Sequence, residues 1–211
     1  MFQTAIYGRK EFDAAYLLGA LAYAYHDVST ERTITLPDPS TFTEDLSADY
    51  SAHDVAAQIE AGYHFGWLTP YGAARLQAFY TPAYSENSDS AVDGFALDYD
   101  ANTAYNVRTE IGARMERIFG LQDGASLALR SRIAWAHDFW WGQNGEATFQ
   151  SLPGSDSFTV RGTSGASDSL LLSAGAEFGF GNGLSLAAWF DGELAEGSET
   201  YGGNVRLAYA W

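Results

Sequence analysis

Residues 184–194 set Leu184, Leu186, Ala188, Phe190, Gly192 and Leu194 in alternation with Ser185, Ala187, Trp189, Asp191 and Glu193. A period of two builds an extended strand with one apolar and one polar face, whereas a helix groups its apolar residues at a period of 3.6. Residues 55–65 repeat the pattern, with Val55, Ala57, Ile59, Ala61, Tyr63 and Phe65 on one side and Gln58, Glu60 and His64 on the other. Further copies run through 17–25, 71–80, 107–115, 127–135 and 170–180, and a last one carries Val205, Leu207, Tyr209 and Trp211. With the weaker segment 1–7, the chain shows about nine strands and calls for an all-β fold.

The connections alternate in length. Those at 8–11, 66–67, 120–124 and 181–183 are short, whereas 29–49, 81–96, 139–157 and the smaller 196–200 are acidic and hold most of the Pro. The second group reads as solvated loops. Short turns at one rim and long loops at the other describe an antiparallel up-and-down barrel of the outer-membrane type, turns in the periplasm and loops outside. At 211 residues the chain, 1–211, is read as one domain. No run of 18 apolar residues occurs, and the first eleven residues lack the layout of a secretory signal. Single-chain bacterial barrels have even strand numbers. Nine strands therefore predict that the first part of a longer barrel lies upstream of residue 1.

Alternation assigns Arg75, Arg108, Arg114, Arg130, Arg132 and Arg206 to the polar face, together with Glu60, Glu110, Glu116, Glu177, Asp191 and Glu193. An Arg on the lipid face near the midplane costs roughly 2–4 kcal/mol, so these residues are expected to line a wet lumen. They cancel one another, which leaves the formal charge of -16 to loops and strand ends. A soluble barrel with its apolar face inside has the same alternation. The small polar-face residues Ala20, Ala22 and Ala24 favour the membrane, as do Tyr23, Tyr25, Tyr63, Phe65, Trp135, Phe178, Phe180, Tyr209 and Trp211 near the rims. Trp140 and Trp141 read as anchors at the outer interface. With 11 Lys and Arg against 27 Asp and Glu, nucleic acid is not an expected partner.

Reactive chemistry has few candidates. His26-Asp27, His53-Asp54 and His137-Asp138 are three His-Asp pairs, but neighbours on a strand face opposite ways, so a dyad needs partners from different strands, such as His137 with Asp27. The four His follow no metal-ligand spacing, Cys is absent, and no Gly-x-Ser-x-Gly elbow occurs; Ser164, within residues 162–165, reads as structural. The expectation is a protein without catalytic residues, metal or cofactor.

Three stretches carry a family resemblance: Ile6-Tyr7-Gly8 followed by residues 16–25 and Arg32; Phe158 to Gly162 leading into 170–178; and the closing run from Tyr201 to Trp211. The chain resembles the C-terminal translocator barrel of autotransporters, the type V secretion systems of Gram-negative bacteria. The resemblance implies a barrel of 12 strands with a helix in its pore, located in the cell outer membrane, that anchors and helps export an upstream passenger polypeptide. About nine of those strands would be present, the first strands and the helix lying before Met1. It further implies lipid and lipopolysaccharide at the outer face. Val205, Leu207, Tyr209 and Trp211 resemble the terminal signal read by the outer-membrane assembly machinery. The alternative is a complete small barrel of about eight strands serving as an adhesin or structural surface protein.

Overall fold

The computed structural model describes residues 1–36, 42–89, 94–151, 157–162 and 165–210, with the side chain of Phe42 left aside. Trp211, Ser164 and the tip of the first long connection, 37–41, lie outside the described residues. The strands are β1 (Phe2–Phe12), β2 (Ala15–Leu36), β3 (Phe42–Tyr63), β4 (Leu68–Thr81), β5 (Tyr84–Ser85), β6 (Asn87–Ser88), β7 (Leu97–Tyr99), β8 (Asn102–Gly120), β9 (Ser126–Trp141), β10 (Asn144–Phe149), β11 (Phe158–Arg161), β12 (Asp168–Gly179), β13 (Leu184–Ala195) and β14 (Ser198–Tyr209).

Nine of them form one antiparallel up-and-down sheet in the order β1-β2-β3-β4-β8-β9-β12-β13-β14. The sheet curls into a half-barrel. Its curvature is visible in which side chains meet. Arg114 on β8 reaches Tyr16 on β2, and Arg108 on β8 reaches Glu193 on β13, each pair separated by two intervening strands. Side chains so far apart in strand order touch only on the inside of a bend, since neighbouring strands are about 4.8 Å apart.

The two faces have opposite compositions. Small or polar residues fill the concave face, where Ala52, Ala134 and Ala136 are buried together with Tyr16, Tyr71 and Glu60. Large apolar side chains such as Val55, Ile59, Ile111, Ile133, Trp135 and Val205 stand exposed on the convex face. This is the inverse of a soluble barrel, whose large apolar groups would be inside. The convex apolar band on the paired segments 15–25 and 53–63 is eleven residues long. At about 3.3 Å per residue and a tilt of about 40° this gives a band roughly 25–28 Å tall, the height of a bilayer's apolar region.

Two glycines let large rings lie flat on the concave wall. A Cβ at Gly62 would come within 2.5 Å of the Tyr16 ring, and one at Gly175 within 2.5 Å of the Trp189 ring. The Tyr16–Gly62 and Gly175–Trp189 pairs are direct cross-strand partners.

Several connections differ from their sequence reading. Residues 8–11 are the end of β1, and the turn is Asp13-Ala14, with Asp13 at a positive φ of 54°. The connection at 196–200 is a two-residue turn, Glu196-Gly197, with Gly197 at φ 72°. Most of 29–49 is strand: β2 and β3 continue in register past Asp27 and Ser51 to Leu36 and Phe42. The connections 81–96 and 139–157 contribute short strands to a second sheet, ordered β11-β10-β7-β5, with β6 added to β3.

That second sheet leans on the extended hairpin. Tyr84 stacks between Tyr50 and Tyr99, at 4.1 and 4.6 Å between centroids. Arg32 donates to both oxygens of Glu86, at 3.2 and 2.5 Å. Ser88 donates to buried Glu44 at 2.6 Å, and Leu46, Ala48, Ala96, Leu97 and Ala147 are buried in the same region. Burial pushes the Tyr84 phenol up to about 12, with neighbouring Tyr50, Tyr99 and Glu86 adding to the shift.

Candidate functional site

The concave face is the polar surface on which any passage must be built, and the register carries all twelve charges expected there. Nine of them are joined in ion pairs across the strands. Glu60 on β3 takes two hydrogen bonds from Arg114 on β8, at 2.6 and 2.8 Å, and a third from the Tyr16 hydroxyl at 2.8 Å. Arg114 also lies flat over the Tyr71 ring, 3.8 Å from its centroid. Arg132 on β9 donates to the Tyr71 hydroxyl and to Glu110, both at 2.5 Å. Arg108 donates to Glu193 at 2.6 Å and to Ser169 at 3.1 Å, and lies 3.6 Å from Asp138. Toward the short turns, Arg130 bridges Glu116 and Glu177, at 2.9 and 3.2 Å.

The register alone would oppose Arg114 to Arg132 and Arg75 to Arg108. Like charges directly opposite destabilise a strand pair, and the wall avoids this by turning Arg108, Arg114 and Arg132 toward carboxylates. Arg75 instead donates to Gln77 at 2.9 Å, and Gln77 to Asp54 at 2.7 Å. Asp191 and Arg206 make no ion pair among the described residues. Sequence reading omitted Asp138, Asp54, Tyr16 and Tyr71 from this wall; they sit in phase with the chosen charges, and parity alone would have found them.

At the rims, Val205, Leu207 and Tyr209 of the expected terminal signal stand exposed on the convex face of β14, while Trp211 lies outside the described residues. Aromatic groups line both ends of the convex band. Tyr63 packs on Phe65 and Phe178 on Phe180 near the short turns. His53 contacts Tyr23, Tyr25 and Tyr80 near the other rim. Trp141 continues that outer row by stacking on Phe139. Trp140, read as a second anchor, turns to the concave side opposite Asn106 instead, because adjacent strand residues alternate.

The three His-Asp pairs are split between faces, as alternation requires. His137 meets Asp168, with Nδ1 2.8 Å from Oδ1, and Trp135 donates to the same oxygen at 3.0 Å. Asp27, the partner considered from sequence, lies 3.8 Å from the chain's amino terminus. Among the described residues no group of three or more His, Cys, Asp or Glu could hold a metal ion.

A family model described as the autotransporter beta-domain matches residues 1–191. The chain belongs to that family. Autotransporter β-domains are outer-membrane translocator barrels and are not a catalytic family. The half-barrel of antiparallel strands is consistent with an autotransporter β-barrel; no helix among the described residues is long and apolar enough to cross a membrane. No curated protein matches the chain in a sequence search.

Proposed function

We propose that this autotransporter β-domain anchors an upstream passenger polypeptide in the outer membrane and assists its export, with the concave face as the wall of the passage. The observation that carries the reading is the separation of faces. A polypeptide in transit exposes apolar side chains, and a wall of small residues and mutually neutralised charges offers them nothing to adhere to. Glu60, Arg75, Arg108, Glu110, Arg114, Glu116, Arg130, Arg132, Glu177, Asp191, Glu193 and Arg206 would line it. Paired charges also keep the wall wet without a net field that would trap a charged cargo.

An open sheet edge is not tolerated in lipid. The outer edges of β1 and β14 are free among the described residues, so further strands, with a pore helix inside them, are proposed to close the barrel between the two. Val205, Leu207, Tyr209 and Trp211 would be read by the assembly machinery through strand addition, main-chain bonds giving affinity and alternate side chains specificity. The convex band would face lipid and, at its outer rim, lipopolysaccharide. The proposed role has no bond-making step and uses no cofactor.

The test is external proteolysis of intact cells expressing the complete reading frame. The expected result is loss of the upstream polypeptide while this domain stays protected in the outer-membrane fraction. Protection of the upstream polypeptide, or recovery of the domain outside that fraction, would overturn the proposal.

A further inference from the structure

The convex face carries charges of opposite sign at its two ends. Toward the long connections stand Asp27, Asp45, Asp49 and Asp168. Toward the short turns stand Lys10 and Arg117, whereas every other Arg of the nine-stranded sheet turns to the concave face. Neither Lys10 nor Arg117 forms an ion pair among the described residues.

Both side chains run in the same direction. Lys10 Nζ lies 5.1 Å from the ring centroid of Phe12, and the Arg117 guanidinium carbon lies 5.4 Å from that of Phe119. Each ring belongs to the residue two positions nearer the turn. The long apolar stems therefore follow the strand away from the midplane and deliver the charge to the short-turn rim, the geometry of a snorkelling cation.

Arg117 lines one convex groove, and Lys10 stands one convex position beyond the lining of another. One of about 570 Å³ runs over Met115, Leu129, Ala174, Ala176 and Ala188, with Arg117 in the row nearer the short turns. Its floor is low because alanines alternate with larger neighbours. The other, about 670 Å³, has Gly8, Gly19, Ala57 and Ala74 for its floor, and Lys10 is the next convex residue after Gly8 on β1. A long shallow apolar channel that ends at an unpartnered cation matches a lipid: acyl chain in the channel, phosphate at the charge.

We infer that these two places bind anionic phospholipids of the periplasmic leaflet. Guanidinium and ammonium groups donate charge-assisted hydrogen bonds to phosphate oxygens, whereas the convex face toward the long connections presents the carboxylates of Asp27, Asp45, Asp49 and Asp168. The inference rests on the outer-membrane reading with short turns at the periplasmic side.

The test uses the product of the complete reading frame folded in mild non-ionic detergent, titrated with phosphatidylglycerol or phosphatidylcholine, bound lipid being counted by native mass spectrometry. Two phosphatidylglycerols are expected. Lys10→Gln and Arg117→Gln should each weaken one of them about fivefold, Arg117→Lys should retain it, and Ala176→Phe should expel it by filling the channel with the charge intact. Equal retention of both lipids, or glutamine variants that bind as the parent does, would overturn the inference. A heat-modifiable electrophoretic shift on the same samples separates the two readings. Its absence in the parent chain defeats the barrel itself, whereas its presence without lipid preference defeats the lipid sites alone.

Discussion

Glu60 is a carboxylate in the middle of a membrane-type sheet, and it is stable there because three donors surround it. Glu60→Ala strands the Arg114 guanidinium on a half-buried wall, and the expected loss is about 2–4 kcal/mol, read from the unfolding midpoint in denaturant. Gly175→Ala should cost about 1–3 kcal/mol by driving a methyl into the Trp189 ring, and the double variant Gly175→Ala/Trp189→Ala should cost less than the sum of the two single changes. Tyr84 titrates outside the membrane band. Its folded pKa lies above the ordinary value, so the folded state keeps a proton that the unfolded state loses. Its contribution is thus constant below pH 10 and is lost as pH rises from 10 to about 12. Absorbance titration of phenolate should show a late-titrating group of tyrosines, Tyr84 and Tyr99 among them, that shrinks by one in Tyr84→Phe. Parity puts the twelve charges on one face of the sheet because it depends on position alone. Pairings such as Arg114 with Glu60 or His137 with Asp168 depend on curvature and tilt, which no local pattern encodes.

Among the elements, the hairpin of β2 and β3 departs most from its sequence reading. Its inner half alternates large apolar and small or polar residues and was legible. Its outer half has Thr, Ser, Asp and Glu on the convex face and small residues such as Ala48 and Ala52 on the concave one, so the contrast that reveals a strand is weak there. Pro37 and Pro39, near the hairpin tip, further suggest a loop. What makes this segment strand is tertiary: Leu46 and Ala48 are buried where the small sheet leans on it. Leu46→Ala should therefore loosen the outer structure by about 2–4 kcal/mol. In limited proteolysis cleavage should rise between residues 28 and 52 while the rest of the nine-stranded sheet stays protected; simultaneous loss of both would show that the two unfold as one unit. The end of β1 was misread for a related reason, since Gly8 followed by Arg9, Lys10 and Glu11 imitates a turn.

For the whole molecule, unequal rims fix how it stands in the membrane. A cysteine introduced at Asp49, beyond the convex band, should react with an impermeant maleimide on intact cells. One at Asn182, in a short turn, should react only after the outer membrane is opened. The reverse pattern would invert the topology. The cross-strand ion pairs bear on transport as well. Arg114 ties β8 to β2 and β3, and Arg108 ties it to β13, so sliding one strand past its neighbour by two residues would break several ties at once. Under the proposed export role, these ties give the passage wall a fixed gauge: it would not dilate around a bulky load, and a threaded passenger would have to be slender before it enters.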